Sequence, residues 1–137
     1  MVFFKKKEIN VDYKLVKIGA LLIHAAKIDE DFSQEEENII KQTLLNFGAG
    51  NQNINEIIEK AKKMEESSNQ ILDYTKEVKN MEEDNKIKIV KTLWKIIFSN
   101  KKADIYEANL MRRLAGLLYI DSKIMGDIKE QIKKENS

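Results

Sequence analysis

The sequence predicts an all-α protein of about seven helices, arranged as a pseudo-two-fold repeat around a central antiparallel helix pair. Three observations lead there. The 137 residues include no Pro and only five Gly, so the usual breakers of helices are nearly missing. Apolar residues recur at helical spacing along almost the whole chain. A polar turn followed by a capping residue occurs twice in the same helical setting. At this length one domain with one modest core is expected, with residues 1–11 as a flexible N-terminus and 12–135 as a single helical domain.

The first helix is expected from Asp12 to Lys27, where apolar residues cover most of the wheel and Lys14, Lys17, His24 and Lys27 form one narrow polar stripe. A helix apolar nearly all round belongs in the middle of a bundle. Ser33 with Glu36 three residues on is a capping-box pattern, and Ile40, Leu44 and Phe47 follow at helical spacing, so a second helix starts at Ser33 and stops near Gly48. After the loop signal GAGNQN, the run Ile54, Ile57, Ile58, Ala61, Met64 defines a third, surface helix. Ser67, Ser68 and Asn69 punctuate the chain and cap a fourth helix carrying Ile71, Tyr74, Thr75, Val78 and Met81.

Asp84 or Asn85 is the expected cap of a fifth helix with Ile87, Val90, Leu93, Trp94, Ile97 and Phe98. This helix is again apolar on most sides, with Lys88, Lys91 and Lys95 as its polar edge. Asp104 with Glu107 repeats the capping box and opens a sixth helix through Leu110, Leu114 and Leu118; Asp121 or Ser122 caps a seventh with Ile124, Ile128 and Ile132. Trp94, Phe98, Tyr106 and Phe47 fall at helical spacing and are expected in the core. His24 has no second histidine with which to share a metal and is expected as an ordinary half-exposed side chain.

Composition narrows the function. The 24 basic and 23 acidic residues nearly cancel, whereas a domain held to nucleic acid by phosphate contacts carries a basic excess, so no nucleic-acid partner is expected. Without Cys there is no disulfide, thiolate metal site or cysteine nucleophile, and a cytoplasmic location is the expectation. The start, MVFFKKKEI, places hydrophobic residues before its lysines, the reverse of a signal peptide's order. Phe3 and Phe4 beside those lysines allow at most peripheral contact with an anionic membrane surface. The longest apolar stretch, Ile18 to Ala26, is far shorter than the roughly 20 residues of a spanning helix. No nucleophile–base pair, glycine-rich phosphate loop or histidine cluster is present, so the protein is not expected to be an enzyme.

A shift of 71 residues lays Ser33 and Glu36 on Asp104 and Glu107, and lays Asp29, Glu30 and Asp31 on Asn100, Lys101 and Lys102. The two turns therefore carry opposite charge. Lys27 to Glu37 holds six carboxylates in eleven residues, which makes the first turn the one candidate cation site. Asp29, Asp31, Ser33 and Glu36 offer hard oxygen ligands suited to calcium, magnesium or manganese; zinc prefers nitrogen and sulfur. An EF-hand loop beginning at Asp29 is excluded, because its sixth and twelfth positions are Gln34 and Ile40. A structural account of the same acids stands beside this one: Ser33 and Glu36 cap the helix, and Glu35, Glu36 and Glu37 meet the positive end of its dipole. Arg112 and Arg113 lie near the pseudo-equivalent of Lys41 and Gln42. They read as surface arginines, or as partners of the first-turn acids.

In this ordered set the chain resembles the tellurite-resistance TerB-like proteins, also seen as the helical domain at the front of some membrane-bound J-domain co-chaperones. AAKIDEDFSQEE places Asp29 and Glu36 on that family's acids. The run LWKIIFSNKKADIYEANLMRRLAGLL places Leu93, Trp94, Tyr106, Glu107, Arg112 and Arg113 on its second half, and LDYTKEV resembles the segment before it. The likeness covers roughly Asp12 to Lys134. It implies an all-α fold around a paired central hairpin, and a stress-response scaffold that binds metal through acidic turns and works in peripheral membrane assemblies. The chain departs from the family pattern at Glu30 and Lys101, where Gly is usual, and at Asn100, where the second acid is usual. A J-domain is excluded, since its His-Pro-Asp tripeptide needs a Pro.

The expected function is thus a helical interaction module for protein partners, with Asp29, Asp31 and Glu36 as the candidate ligands should it take a divalent cation (calcium, magnesium or manganese). The alternative is a carboxylate-based metal-dependent hydrolase using Asp29, Asp31, Glu36 and Glu107.

Overall fold

The computed structural model describes residues 13–27, 32–67, 72–99 and 105–135, with side chains for all but 72 and 105–107. These residues form seven helices: α1 Tyr13–Ala26, α2 Gln34–Asn46, α3 Ile54–Ser67, α4 Leu72–Lys79, α5 Glu83–Ser99, α6 Ile105–Leu117 and α7 Ser122–Glu135. No strand occurs among the described residues. The all-α expectation and the helix order hold.

α1 is the buried helix that its wheel predicts. Everything from Leu15 to Ala26 is buried except Lys17 and His24, and the helix packs against α2, α3, α4 and α5. Its closest neighbour is α3. A Cβ at Gly19 would lie 3.1 Å from the Cβ of Ala61, so a glycine on one helix and an alanine on the other set the separation of the two axes. α3 buries Ile54, Ile57, Ile58 and Ala61 on one face and leaves Asn55, Glu59 and Lys63 in water. α4 also packs against α1, burying Tyr74 and Val78, and the Tyr74 hydroxyl donates to the Met64 carbonyl at 3.0 Å, which satisfies a carbonyl near the end of α3.

The second half is built on α5, whose buried face includes Ile89, Val90, Leu93, Trp94, Ile96 and Ile97. Trp94 and Phe98 stack with ring centroids 5.7 Å apart. α7 covers α5 with Met125, Ile128 and Ile132, whereas α6 touches α4 and α7 more sparsely. Where α2 meets α5, Thr43 Oγ1 and Thr92 Oγ1 lie 2.9 Å apart, and each also reaches a carbonyl of its own helix at 3.0 Å, Ile39 and Lys88 respectively. Two hydroxyl protons therefore serve three short contacts.

The helix ends follow local chemistry with two adjustments. α2 stops in a Schellman motif: Gly48 has φ 111, its N–H donates to Leu45, and Ala49 N–H donates to Leu44. α6 stops the same way, with Tyr119 N–H donating to Gly116 and Ile120 N–H to Ala115, but the left-handed position is occupied by Tyr119 at φ 57. It is the one non-glycine with positive φ among the described residues. α7 is capped by Asp121, whose Oδ1 accepts from Lys123 N–H at 2.8 Å. α5 begins earlier than its expected cap. The Glu82 carbonyl accepts from Asn85 and Lys86, so Asp84 lies inside the first turn and acts on the helix dipole. The expected cap Asp104 lies outside the described residues.

Candidate functional site

The acidic turn is described on both flanks. Asp29, Glu30 and Asp31 themselves lie outside the described residues; the end of α1, the residues from Phe32 to Glu37 and the facing side of α3 do not. Ser33 is an extended residue at φ −82, ψ 163, and its Oγ accepts from Glu36 N–H at 3.1 Å. In return, Glu36 Oε1 accepts from Ser33 N–H at 2.8 Å, completing the capping box. Glu36 is 2 % exposed. Of the three predicted ligands it is thus the one whose place is visible, and it serves the helix that it starts.

The neighbouring acids are held by lysines. Glu37 Oε1 lies 2.9 Å from Lys62 Nζ and Oε2 lies 3.4 Å from Lys41 Nζ, tying α2 to α3. The hydrogen bond from Lys62 holds the Glu37 carboxyl below its ordinary 4.5, against an opposing push from partial burial. The same bond raises Lys62 above 10.5. On the other flank Glu65 bridges two residues of the α1 end: Oε1 accepts from Lys27 Nζ at 2.8 Å and Oε2 lies 3.3 Å from His24 Nδ1. The bond to Glu65 raises Lys27 above its ordinary 10.5. His24 is accordingly a half-exposed residue with a carboxylate partner, as expected for a histidine on a polar stripe. A small cavity of about 210 Å³ beside the turn is walled by Ile23, Lys27, Phe32, Lys62 and Glu66, with Lys62 Nζ 5.9 Å from the centre of the Phe32 ring.

Among the described residues no three His, Asp or Glu gather at metal-binding distance. The two flanks instead form charge-paired braces between helices. Glu107, the fourth acid of the hydrolase arrangement, belongs to α6, and its side chain lies outside the described set. Arg112 donates to Asn109 Oδ1 at 3.0 Å on its own helix, and Arg113 is exposed.

A second feature escaped the sequence reading as a site. Between α2 and α5 runs a groove of about 250 Å³ whose walls include Gln42 and Asn46 on one side and Lys88, Lys91 and Lys95 on the other, with Thr43 and Thr92 among its lining residues. The three lysines lie at i, i+3 and i+7, one stripe on a helix. None of them forms an ion pair with a described residue. Their spacing was legible in the sequence as a polar edge; that α2 lies alongside it was not.

A family profile described as Tellurite resistance protein TerB matches residues 16–130. The chain belongs to the TerB family. The matched span runs from α1 into α7 and contains both turns, so the TerB domain is essentially the whole helical bundle. Comparison with curated proteins and with solved structures gives no match. Within this TerB domain the first turn carries Asp29 and Glu36, and the second carries Glu107 with Lys101 and Lys102 before it. Among the described residues no helix is long and apolar enough to cross a membrane.

Proposed function

We propose that this TerB domain is a non-catalytic interaction module of the cytoplasm that holds an acidic segment of a protein partner along the groove between α2 and α5. The observation that carries the reading is the stripe Lys88, Lys91 and Lys95: three ammonium groups that form no ion pair with a described residue and line one groove with the amides of Gln42 and Asn46. The stripe spans roughly 10 Å at 1.5 Å rise per residue, which suits carboxylates three or four residues apart on one helix face. Partner acids would supply the charges that the domain leaves out. The near balance of 24 basic and 23 acidic residues speaks for a local, directional contact over a diffuse hold on nucleic acid. The non-catalytic part of the proposal is supported by the use of the acids at and facing the first turn, where Glu36 caps α2, Glu37 braces α2 to α3, and Glu65 of α3 braces the end of α1. Asp29 and Asp31 are left as the candidate ligands of a divalent cation.

Fluorescence anisotropy with a labelled oligoglutamate peptide at low ionic strength tests the groove. Binding that weakens with added salt is expected. Reversing Lys88, Lys91 and Lys95 to Glu should weaken it by about tenfold or more, since each pair contributes about 0.2–1 kcal/mol and reversal adds repulsion. An oligolysine peptide that binds equally well, or a triple reversal that binds like the parent, would sink the proposal.

A further inference from the structure

The second half leaves an opening between α6 and α7. Both helices present small residues there. Gly116 on α6 and Gly126 on α7 line it, and a Cβ built on either would meet nothing within 4 Å. The two helices therefore leave a cleft of about 470 Å³, inside the range of roughly 300–1,000 Å³ in which small ligands are held. Met111 and Met125 contribute deformable apolar walls.

Trp94, only 5 % exposed, also lines this cleft, and its indole N–H has no acceptor among the described residues. A buried donor left without an acceptor is rare in a folded protein. Two cations complete the lining, Arg112 from α6 and Lys129 from α7, with Lys129 Nζ 5.5 Å from the centre of the Trp94 ring. Among the described residues no Asp or Glu lines the cleft. Its chemistry is thus an apolar body, an unfilled neutral donor and two positive charges on facing helices.

We propose that the cleft binds a small amphipathic carboxylate, its hydrocarbon body between Met111 and Met125 and its carboxylate held by Arg112 and Lys129, with an oxygen acceptor supplied to Trp94 Nε1. A cationic amphiphile would meet like charge at the same place, and a purely apolar one would leave the indole N–H unfilled.

Trp94 is the only tryptophan in the chain, so its emission reports the cleft directly. The test titrates the full chain with decanoate below its aggregation range, with decanol and decyltrimethylammonium as the neutral and cationic controls. A saturable change in emission is expected with decanoate, with about tenfold weaker binding of decanol and none of the cationic amphiphile. Gly126→Leu fills open space from a helix position where leucine is the better helix former, so circular dichroism should stay unchanged while decanoate binding is lost. Arg112→Gln combined with Lys129→Gln changes the rim alone and should reduce decanoate affinity to that of decanol. Equal responses to decanoate and decyltrimethylammonium, or parent-like affinity in either variant, would overturn the proposal. So would emission that changes with protein concentration alone, which would mean that a second copy fills the cleft.

Discussion

Replacing Glu36 distinguishes a helix cap from a cation ligand, because the two roles need different atoms. The cap needs an acceptor oxygen within reach of Ser33 N–H, at 2.8 Å in the structure, and glutamine supplies one. A ligand to a hard cation needs the charge, and glutamine lacks it. Ser33→Ala removes the acceptor 3.1 Å from Glu36 N–H and should cost about 1 kcal/mol. Glu36→Ala removes the return bond as well as the buried stem of a side chain that is 2 % exposed, at about 0.8 kcal/mol per methylene, so about 2 kcal/mol is expected. Glu36→Gln keeps the bond and loses the favourable charge at the start of α2, about 0.3–1 kcal/mol. Urea denaturation at neutral pH, with a common slope across the series, should rank the losses as Gln smallest, Ser33→Ala intermediate and Glu36→Ala largest. A neutral Ser33→Ala together with a Glu36→Gln as costly as Glu36→Ala would refute the capping argument and return Glu36 to a role that depends on its charge.

Other consequences concern pH, the buried hydroxyls and the cation. Because Lys62 holds Glu37 below 4.5, that carboxylate's contribution is present above pH 4.5 and is lost as pH falls through the depressed value; denaturation curves of the parent and Glu37→Gln should converge in acid. Lys62 and Lys27 are raised above 10.5, so their contributions are complete below pH 10.5 and fade as pH rises beyond it, and Lys62→Met should flatten that alkaline limb. Thr43→Val and Thr92→Val should each cost about 1 kcal/mol, and the double variant less than the sum, since it leaves no hydroxyl in want of the other; strict additivity in a double-mutant cycle would show that the 2.9 Å contact carries no coupling. A cation at Asp29 and Asp31 predicts that calcium, magnesium or manganese at about 100 times its dissociation constant stabilises the chelator-treated parent by about 2.7 kcal/mol and Asp29→Asn by much less. Thermal shifts that are equal in the two proteins would remove the cation from the first turn.

Much of the bundle was legible because helix signals are local. The capping box at Ser33 and Glu36 needs residues three apart, and the buried character of α1 needs only a wheel with one polar stripe. The start of α5 was displaced from Asp84 or Asn85 to Glu83 because a cap preference of about 1 kcal/mol is small beside the burial of Ile89, Val90 and Leu93. Tyr119 was invisible as a helix stop. Nothing in its residue type favours φ 57, and the turn is held by the bonds to Ala115 and Gly116 on the preceding turn and by burial of Ile120 beyond it. At the first turn the sequence signal was charge density, and the structure shows how Glu36 and Glu37 are used without describing Asp29 to Asp31.

By itself the sequence determined the helices, their buried faces, the cap at Ser33, a cap at Asp121 or Ser122 and the family, because each depends on residues a turn or two apart or on an ordered pattern along the chain. Only the tertiary structure decided which polar edges became sites. Thr43 and Thr92 meet across 49 residues, and that meeting makes a groove of lysines that had looked like a solvated helix edge. The cleft at Trp94 likewise needs α5, α6 and α7 together, with two glycines leaving space that no pattern along one helix reveals. Hydrophobic spacing specifies which face turns inward, but the shape of what remains open depends on side-chain volumes from helices that are distant in the chain.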